Sequence, residues 1–167
     1  LKYGSDKPDL RNPIVISEVN NIFADSGFSI FTKQIKQGNV IRAIPAPKCN
    51  AKARSFFDKM IQTAINNGAK GLAYISFAED GTPKSPIAKF LSIEKLEELK
   101  IQCGLKNGDA VFFSSGPKKE AAKVAGVVRS ELGKQLDIID ENIYKFCWII
   151  DFPMYEISEE SGKLDFS

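Results

Sequence analysis

The sequence predicts an α+β domain in two layers, a mainly antiparallel β-sheet with helices packed on one face. Three observations carry that expectation. Apolar runs of strand length mostly come in pairs, and each pair is followed by a stretch of helical periodicity, as in an antiparallel sheet backed by helices. Two helical stretches carry a continuous apolar stripe: Ala53, Phe56, Phe57, Met60, Ile61 and Ala64 in one, Ala121, Val124, Ala125, Val128, Leu132 and Leu136 in the other. A length of 167 residues, with 43% hydrophobic and 26% charged, suits one globular domain with its own core.

In chain order, Tyr3 to Pro13 is dense in turn formers and its two prolines disfavour helix before them, so it reads as an ordered loop. Ser17 is placed to cap a short helix through about Asp25, with Val19, Ile22 and Phe23 on one face and Gly27 ending it. Phe28 to Lys33 and Val40 to Ile44 read as a hairpin joined through Gln37, Gly38 and Asn39. Asn50 is expected to cap the first striped helix, which Asn67 and Gly68 stop. Leu72 to Phe77 and Ile87 to Leu91 read as a second hairpin. Ser92 then caps a helix bearing Ile93, Leu96 and Leu99, and Ala110 to Phe113 is a fifth strand. The second striped helix starts near Pro117, in the favoured first-turn position. A last apolar run, Phe146 to Phe152, reads as a terminal strand stopped by Pro153, and another strand begins before Ser167. Both ends are expected to be interior to a longer chain.

Composition excludes several classes of chemistry. With 23 basic and 21 acidic residues the formal charge is only +2, so no global field drives nucleic-acid binding and any RNA contact must be local. There is no histidine, which removes the commonest general base and metal ligand. Cys49, Cys103 and Cys147 are far apart and form no CxxC pair, which fits a reducing cytoplasm better than a disulfide framework or a zinc site. Cys103 and Cys147 lie in apolar contexts and are expected in the core. No apolar run approaches the roughly 20 residues of a membrane span, and no signal-peptide pattern is present.

Four constellations can carry chemistry. Lys118 and Lys119 follow Gly116 and Pro117 at a helix start, where unpaired N–H groups and the dipole favour an anion; solvated lysines are the alternative, and no GxxxxGK[ST] loop is present. The carboxylates Asp137, Asp140 and Glu141, and Glu156, Glu159 and Glu160, lack the spacing of a calcium loop and read as solvated faces. The cysteines lack a histidine partner, leaving a nearby lysine or helix start as the only means of activating a thiol. In the loop, Asp6, Lys7, Asp9 and Arg11 alternate in sign, which suits either a clamp for an amino acid's two charges or a loop knitted by salt bridges. The residues alone favour the second.

The stretch YGSDKPDLRNP, residues 3–13, is similar to the segment leading out of the class II catalytic core in bacterial aspartyl-tRNA synthetases. The blocks GAKGLAYI (68–75), SPIAKFL (85–91), GDAVFF (108–113) and WIIDFPM (148–154) resemble that family in the same order. The resemblance covers almost the whole chain. It implies a GAD-type (DCoH-like) insertion domain over residues 12–141, flanked by catalytic-domain segments 1–11 and 142–167. It also implies a parent ligase, a cytoplasmic homodimer that activates L-aspartate with ATP and Mg²⁺ and transfers it to tRNA.

The family's adenylate-forming residues are not among these 167, so the resemblance implies no catalytic residue, cofactor or metal site here. Asp6, Lys7, Asp9 and Arg11 are carried as walls of the amino-acid pocket. Lys118 and Lys119 are carried as tRNA-backbone contacts, with weak tRNA binding by this part alone and the parent's catalytic domain as the other partner. Two readings stand beside this one: the GAD module of a tRNA-dependent amidotransferase subunit, and a stand-alone interaction domain.

Overall fold

A computed structural model describes residues 2–150, 153–158 and 161–166. Five strands form one sheet in the order β1 (Ser17–Glu18), β2 (Val40–Ala46), β5 (Ala110–Gly116), β3 (Ala73–Phe77), β4 (Pro83–Lys84), and every pairing is antiparallel. The two seven-residue strands, β2 and β5, run side by side at the centre in the register Val40↔Gly116 to Ala46↔Ala110. The α+β class and the antiparallel sheet are as the sequence predicts.

The layering departs from the expected single helical layer, because both faces of the sheet are covered. Successive strand residues point to opposite faces. On β2 and β5, Ile44, Ala46, Ala110 and Phe112 pack with residues of α3 (Arg54–Asn66) and α5 (Lys118–Gln135), whereas Ile41, Ala43, Val111 and Phe113 pack against α1 (Asn20–Phe23), α2 (Ser29–Lys36) and α4 (Ile93–Cys103). A strand apolar at every position rather than every second one is the sequence mark of a sheet buried on both sides. Ala110 to Phe113 carries it, and so does Val40 to Ala46 apart from Arg42.

The striped helices form as read. Phe57, Met60 and Ala64 of α3 are buried, and in α5 Ala121, Val124, Ala125, Val128 and Leu132 are buried while Leu136 packs half-exposed against them. Ser92 caps α4 by accepting the Lys95 backbone N–H at 3.3 Å. Leu96 and Leu99 are buried there, but Ile93 is exposed.

Several local expectations are corrected. Phe28 to Lys33 is not a strand: α2 sets Phe31 against Phe23 (4.9 Å) and Phe113 (6.1 Å), with Phe28 and Ile35 beside them, a spacing of three and four that belongs to a helix. Gly38, at φ 79°, ends that helix instead of turning a hairpin. Ser17 lies in β1, opposite Ala43, and the helix begins only at Asn20, whose side chain accepts the Ile41 N–H at 2.7 Å. Ala53, not Asn50, precedes α3; the Asn50 N–H donates to the Gly108 carbonyl instead. Ile87 to Leu91 is a 3₁₀ turn (Ala88–Phe90), and Pro83 and Pro86 limit the neighbouring strand to a two-residue edge. Helix α5 starts one residue after Pro117.

At the C-terminal side, residues 146–150 are exposed and form no strand, and Asp151 and Phe152 lie outside the described residues. A separate hairpin follows, β6 (Tyr155–Ile157) with β7 (Leu164–Phe166), the latter being the strand expected before Ser167. Cys147 is exposed too, which corrects its expected place in the core.

Phe57 anchors the α3 face, stacked on Tyr74 at 4.5 Å and lying 5.7 Å from Phe112. Phe57→Ala is expected to cost about 3–5 kcal/mol in urea melts, the range for an enclosed aromatic. A loss below about 1 kcal/mol is a surface-residue effect and would remove this ring from the core.

Candidate functional site

The loop before β1 has no regular structure, so its backbone groups need partners from elsewhere. Helix α5 supplies them for three carbonyls. Arg129, 2% exposed, donates from Nε to the Ile14 carbonyl (2.6 Å) and from Nη2 to the carbonyls of Asn12 (2.6 Å) and Asp9 (3.0 Å), while its guanidinium lies 5.0 Å from the centre of the Tyr3 ring. In return the Asn12 amide donates to the Arg129 carbonyl at 2.9 Å, and its oxygen accepts the Ile14 N–H at 3.0 Å. Burial pulls the Arg129 pKa down, and the fields of Tyr3 and Asp9 work against that shift.

Such close approach requires missing side chains. A Cβ on Gly126 would stand 2.7 Å from the Gly4 carbonyl oxygen, and one on Gly4, at φ +73°, would collide with the Gly126 backbone. Two turns on, a Cβ on Gly133 would run into the Asn12 amide. Two glycines inside a helix sacrifice helix propensity, about 1 kcal/mol each against alanine. Here Gly126 admits the loop backbone at Gly4 and Gly133 admits the Asn12 side chain.

An open groove of ≈ 1230 Å³ beside α5 is lined by Ser5 and Asp6 of the loop, by Lys119, Lys123 and Lys134 of the helix, and by Trp148. Of the sequence candidates, Asp6 and Lys119 share this groove. Asp9 and Arg11 do not: they line a separate recess of ≈ 330 Å³ with Tyr144. They are also bound to each other, Arg11 Nε to Asp9 Oδ1 at 3.0 Å and Nη2 to Oδ2 at 2.8 Å. That guanidinium holds the Asp9 carboxyl below its usual pKa, and the carboxylate in turn raises the pKa of Arg11.

Asp6 and Lys7 are exposed and lie 3.8 Å apart. Lys118 and Lys119 are exposed in the first turn of α5, which Glu120 shares and whose positive field it partly offsets. No side chain caps that helix start.

Sequence reasoning missed Arg129, Gly126 and Asn12. One signal was present: Arg129 sits four residues after Ala125 and three before Leu132, an arginine on the apolar stripe, between two helical glycines. A charge at a buried helix position implies partners reaching it from outside the helix.

The other candidates bring nothing together. Among the described residues no three His, Cys, Asp or Glu side chains converge, and Glu159 and Glu160 lie outside those residues. Among the same residues, no helix is long and apolar enough to cross a membrane. Burial pushes the thiols of Cys49 and Cys103 up to about 12.

Comparison with known proteins places the fold. The family model described as GAD domain matches residues 31–125, from α2 into α5. This chain belongs to the GAD domain family. Beyond that match as well as within it, the GAD chain is similar over all 167 residues to proteins named aspartate–tRNA(Asp/Asn) ligase, with 60% identity to those of Rickettsia felis and Rickettsia conorii and 57% to that of Rickettsia prowazekii. It spans 28% of the length of each of these relatives. A hypothetical protein of known structure from Pyrococcus horikoshii overlaps 60% of the GAD chain, and the chain in turn matches 56% of it, at 19% identity and a TM-score of 0.36, too loose a likeness to bear on the argument.

The thiol environments predict selective labelling. At pH 8, a disulfide reagent is expected to modify exposed Cys147 at least about tenfold faster than Cys49 or Cys103, whose thiolates are scarce and shielded. Mass mapping of the modified peptide checks this; comparable rates at Cys49 would contradict its enclosure.

Proposed function

We propose that this chain is the accessory insertion domain of an aspartate–tRNA ligase, with residues 1–11 and 142–167 belonging to the parent's catalytic domain. The carrying observation is that likeness to the ligases extends through both flanks, beyond the part that the GAD family model matches. The relatives named above are all ligases over the full 167 residues, which favours this reading over the amidotransferase one. The stand-alone reading leaves unexplained the apolar surface of the C-terminal segment, where Trp148 is 95% and Phe146 90% exposed beside Tyr144 and Ile150. In this reading the catalytic domain of the same polypeptide covers that surface.

The parent, a cytoplasmic homodimer in this reading, activates L-aspartate with ATP and Mg²⁺ and transfers it to tRNA. The described residues here do not fit ATP and Mg²⁺, because they offer no converging acidic cluster and no phosphate loop. No chemical step is derived through this chain. The purified chain is therefore expected to show no aspartate-dependent ATP–pyrophosphate exchange, whereas the full-length protein carrying it should exchange and should charge tRNA with aspartate. A full-length protein that does neither would overturn the ligase assignment.

In this reading Asp6 and Lys7, with the Asp9–Arg11 pair behind them, form part of the wall of the amino-acid pocket. Lys118 and Lys119 contribute sequence-independent contacts to tRNA phosphates, aided by unpaired N–H groups of the first turn of α5. Net charge of +2 keeps such binding weak in isolation. In the full-length enzyme, Lys118→Ala/Lys119→Ala is expected to raise the KM for tRNA, leave the KM for ATP and aspartate within about twofold, and flatten the salt dependence by about two ions. Identical kinetics across a salt series would leave both lysines as solvated bystanders.

A further inference from the structure

We propose that Arg129 is a positioning residue for the aspartate pocket: by holding the carbonyls of Asp9, Asn12 and Ile14, helix α5 fixes the Gly4–Arg11 loop as a pocket wall. The inference rests on the reading of that loop given under Proposed function. It assigns the insertion domain a part in amino-acid binding, beyond tRNA contact.

A loop of eleven residues from Tyr3 to Pro13 holds Pro8, Pro13 and a self-contained Asp9–Arg11 pair, and none of its backbone joins the sheet. Its register on the domain comes from three carbonyls converging on one guanidinium, from Asn12, and from backbone contact between Gly4 and Gly126. Asp9 is held at both ends, its carbonyl by Arg129 and its carboxylate by Arg11. Asp6, three residues earlier, lines the groove beside α5. A planar guanidinium with donors in fixed directions suits this task; a lysine ammonium offers no such fork.

An acid-bearing wall displaced by an ångström costs affinity in a pocket that orients a small charged substrate. The loss falls on aspartate and leaves ATP unaffected, because the loop is tied to the amino-acid side of the site. Gly126 gives an independent handle, since a methyl there presses on Gly4 while leaving Arg129 intact.

The test uses the full-length ligase and the 167-residue chain together. In aspartate-dependent pyrophosphate exchange, Arg129→Met and Gly126→Ala are expected to raise the KM for aspartate about 10- to 100-fold, the scale of a 1 Å misplacement, with the KM for ATP within about twofold. Arg129→Lys should recover part of that loss. Leu99→Ala, buried in the cluster on the opposite face of the sheet, is the stability control: it lowers Tm without raising the aspartate KM. Hydrogen exchange in the 167-residue chain should show residues 5–14 exchanging at least about tenfold faster in Arg129→Met, with β5 unchanged.

Unchanged exchange in that loop would overturn the clamp whatever the parent does. Faster exchange with an aspartate KM within twofold of wild type, or ATP and aspartate constants that move together as in a globally weakened protein, would reduce Arg129 to a structural brace. If Arg129→Met does not fold, Gly126→Ala decides between the same outcomes. A wild-type parent that charges no aspartate overturns the pocket assignment, and the exchange result still reads the clamp separately.

Discussion

A guanidinium buried to 2% exposure must replace its lost hydration with hydrogen bonds, and Arg129 does so with backbone carbonyls rather than with a carboxylate. That choice organises the α5 side of the molecule. Carbonyl partners leave the positive charge formally unpaired, so truncation would strand three acceptors and open a hole between loop and helix at once. The same contact explains why α5 tolerates Gly126 and Gly133 in an otherwise well-formed eighteen-residue helix. The Gly4 backbone occupies the space a side chain would fill at Gly126, and the Asn12 amide occupies it at Gly133.

The sheet shows how far periodicity can be read. Helices α3 and α5 and strands β2, β3 and β5 were legible because each is long enough to complete its pattern: a stripe over several turns, or an apolar run bounded by turn residues. Residues 28–33 misled because Phe28, Phe31 and Ile35 define a helix face only with the polar stretch to Lys36, whereas the first six residues alone read as a strand. The buried second face was written in β2 and β5 as apolar residues at odd and even positions alike. A solvated face would have alternated.

The site was legible in part. The charge alternation from Asp6 to Arg11 was correctly weighed as a knitted loop at Asp9 and Arg11, where both bonds are local in sequence and thus visible to spacing. Arg129 escaped because its partners lie 115 to 120 residues away, beyond the reach of any local pattern. Lys123 and Lys134 escaped for a related reason. They come to line one groove with Asp6 only once the loop is laid along the helix.

The two flanks of the sheet domain are secured by different physics. The N-terminal loop is held by directional hydrogen bonds to α5 that are already complete within this chain. The C-terminal segment instead presents Tyr144, Phe146, Trp148 and Ile150 to solvent before a two-stranded hairpin, and a lone hairpin is marginal in water. Burying such side chains is worth about 1.5–3 kcal/mol each. The polar clamp therefore keeps its geometry with or without a neighbour, whereas the apolar segment gains stability only when another surface covers it. In the proposed reading as an accessory domain, docking energy would come through exposed apolar residues from Tyr144 to Ile150, while positional information would travel through Arg129 and the loop it holds.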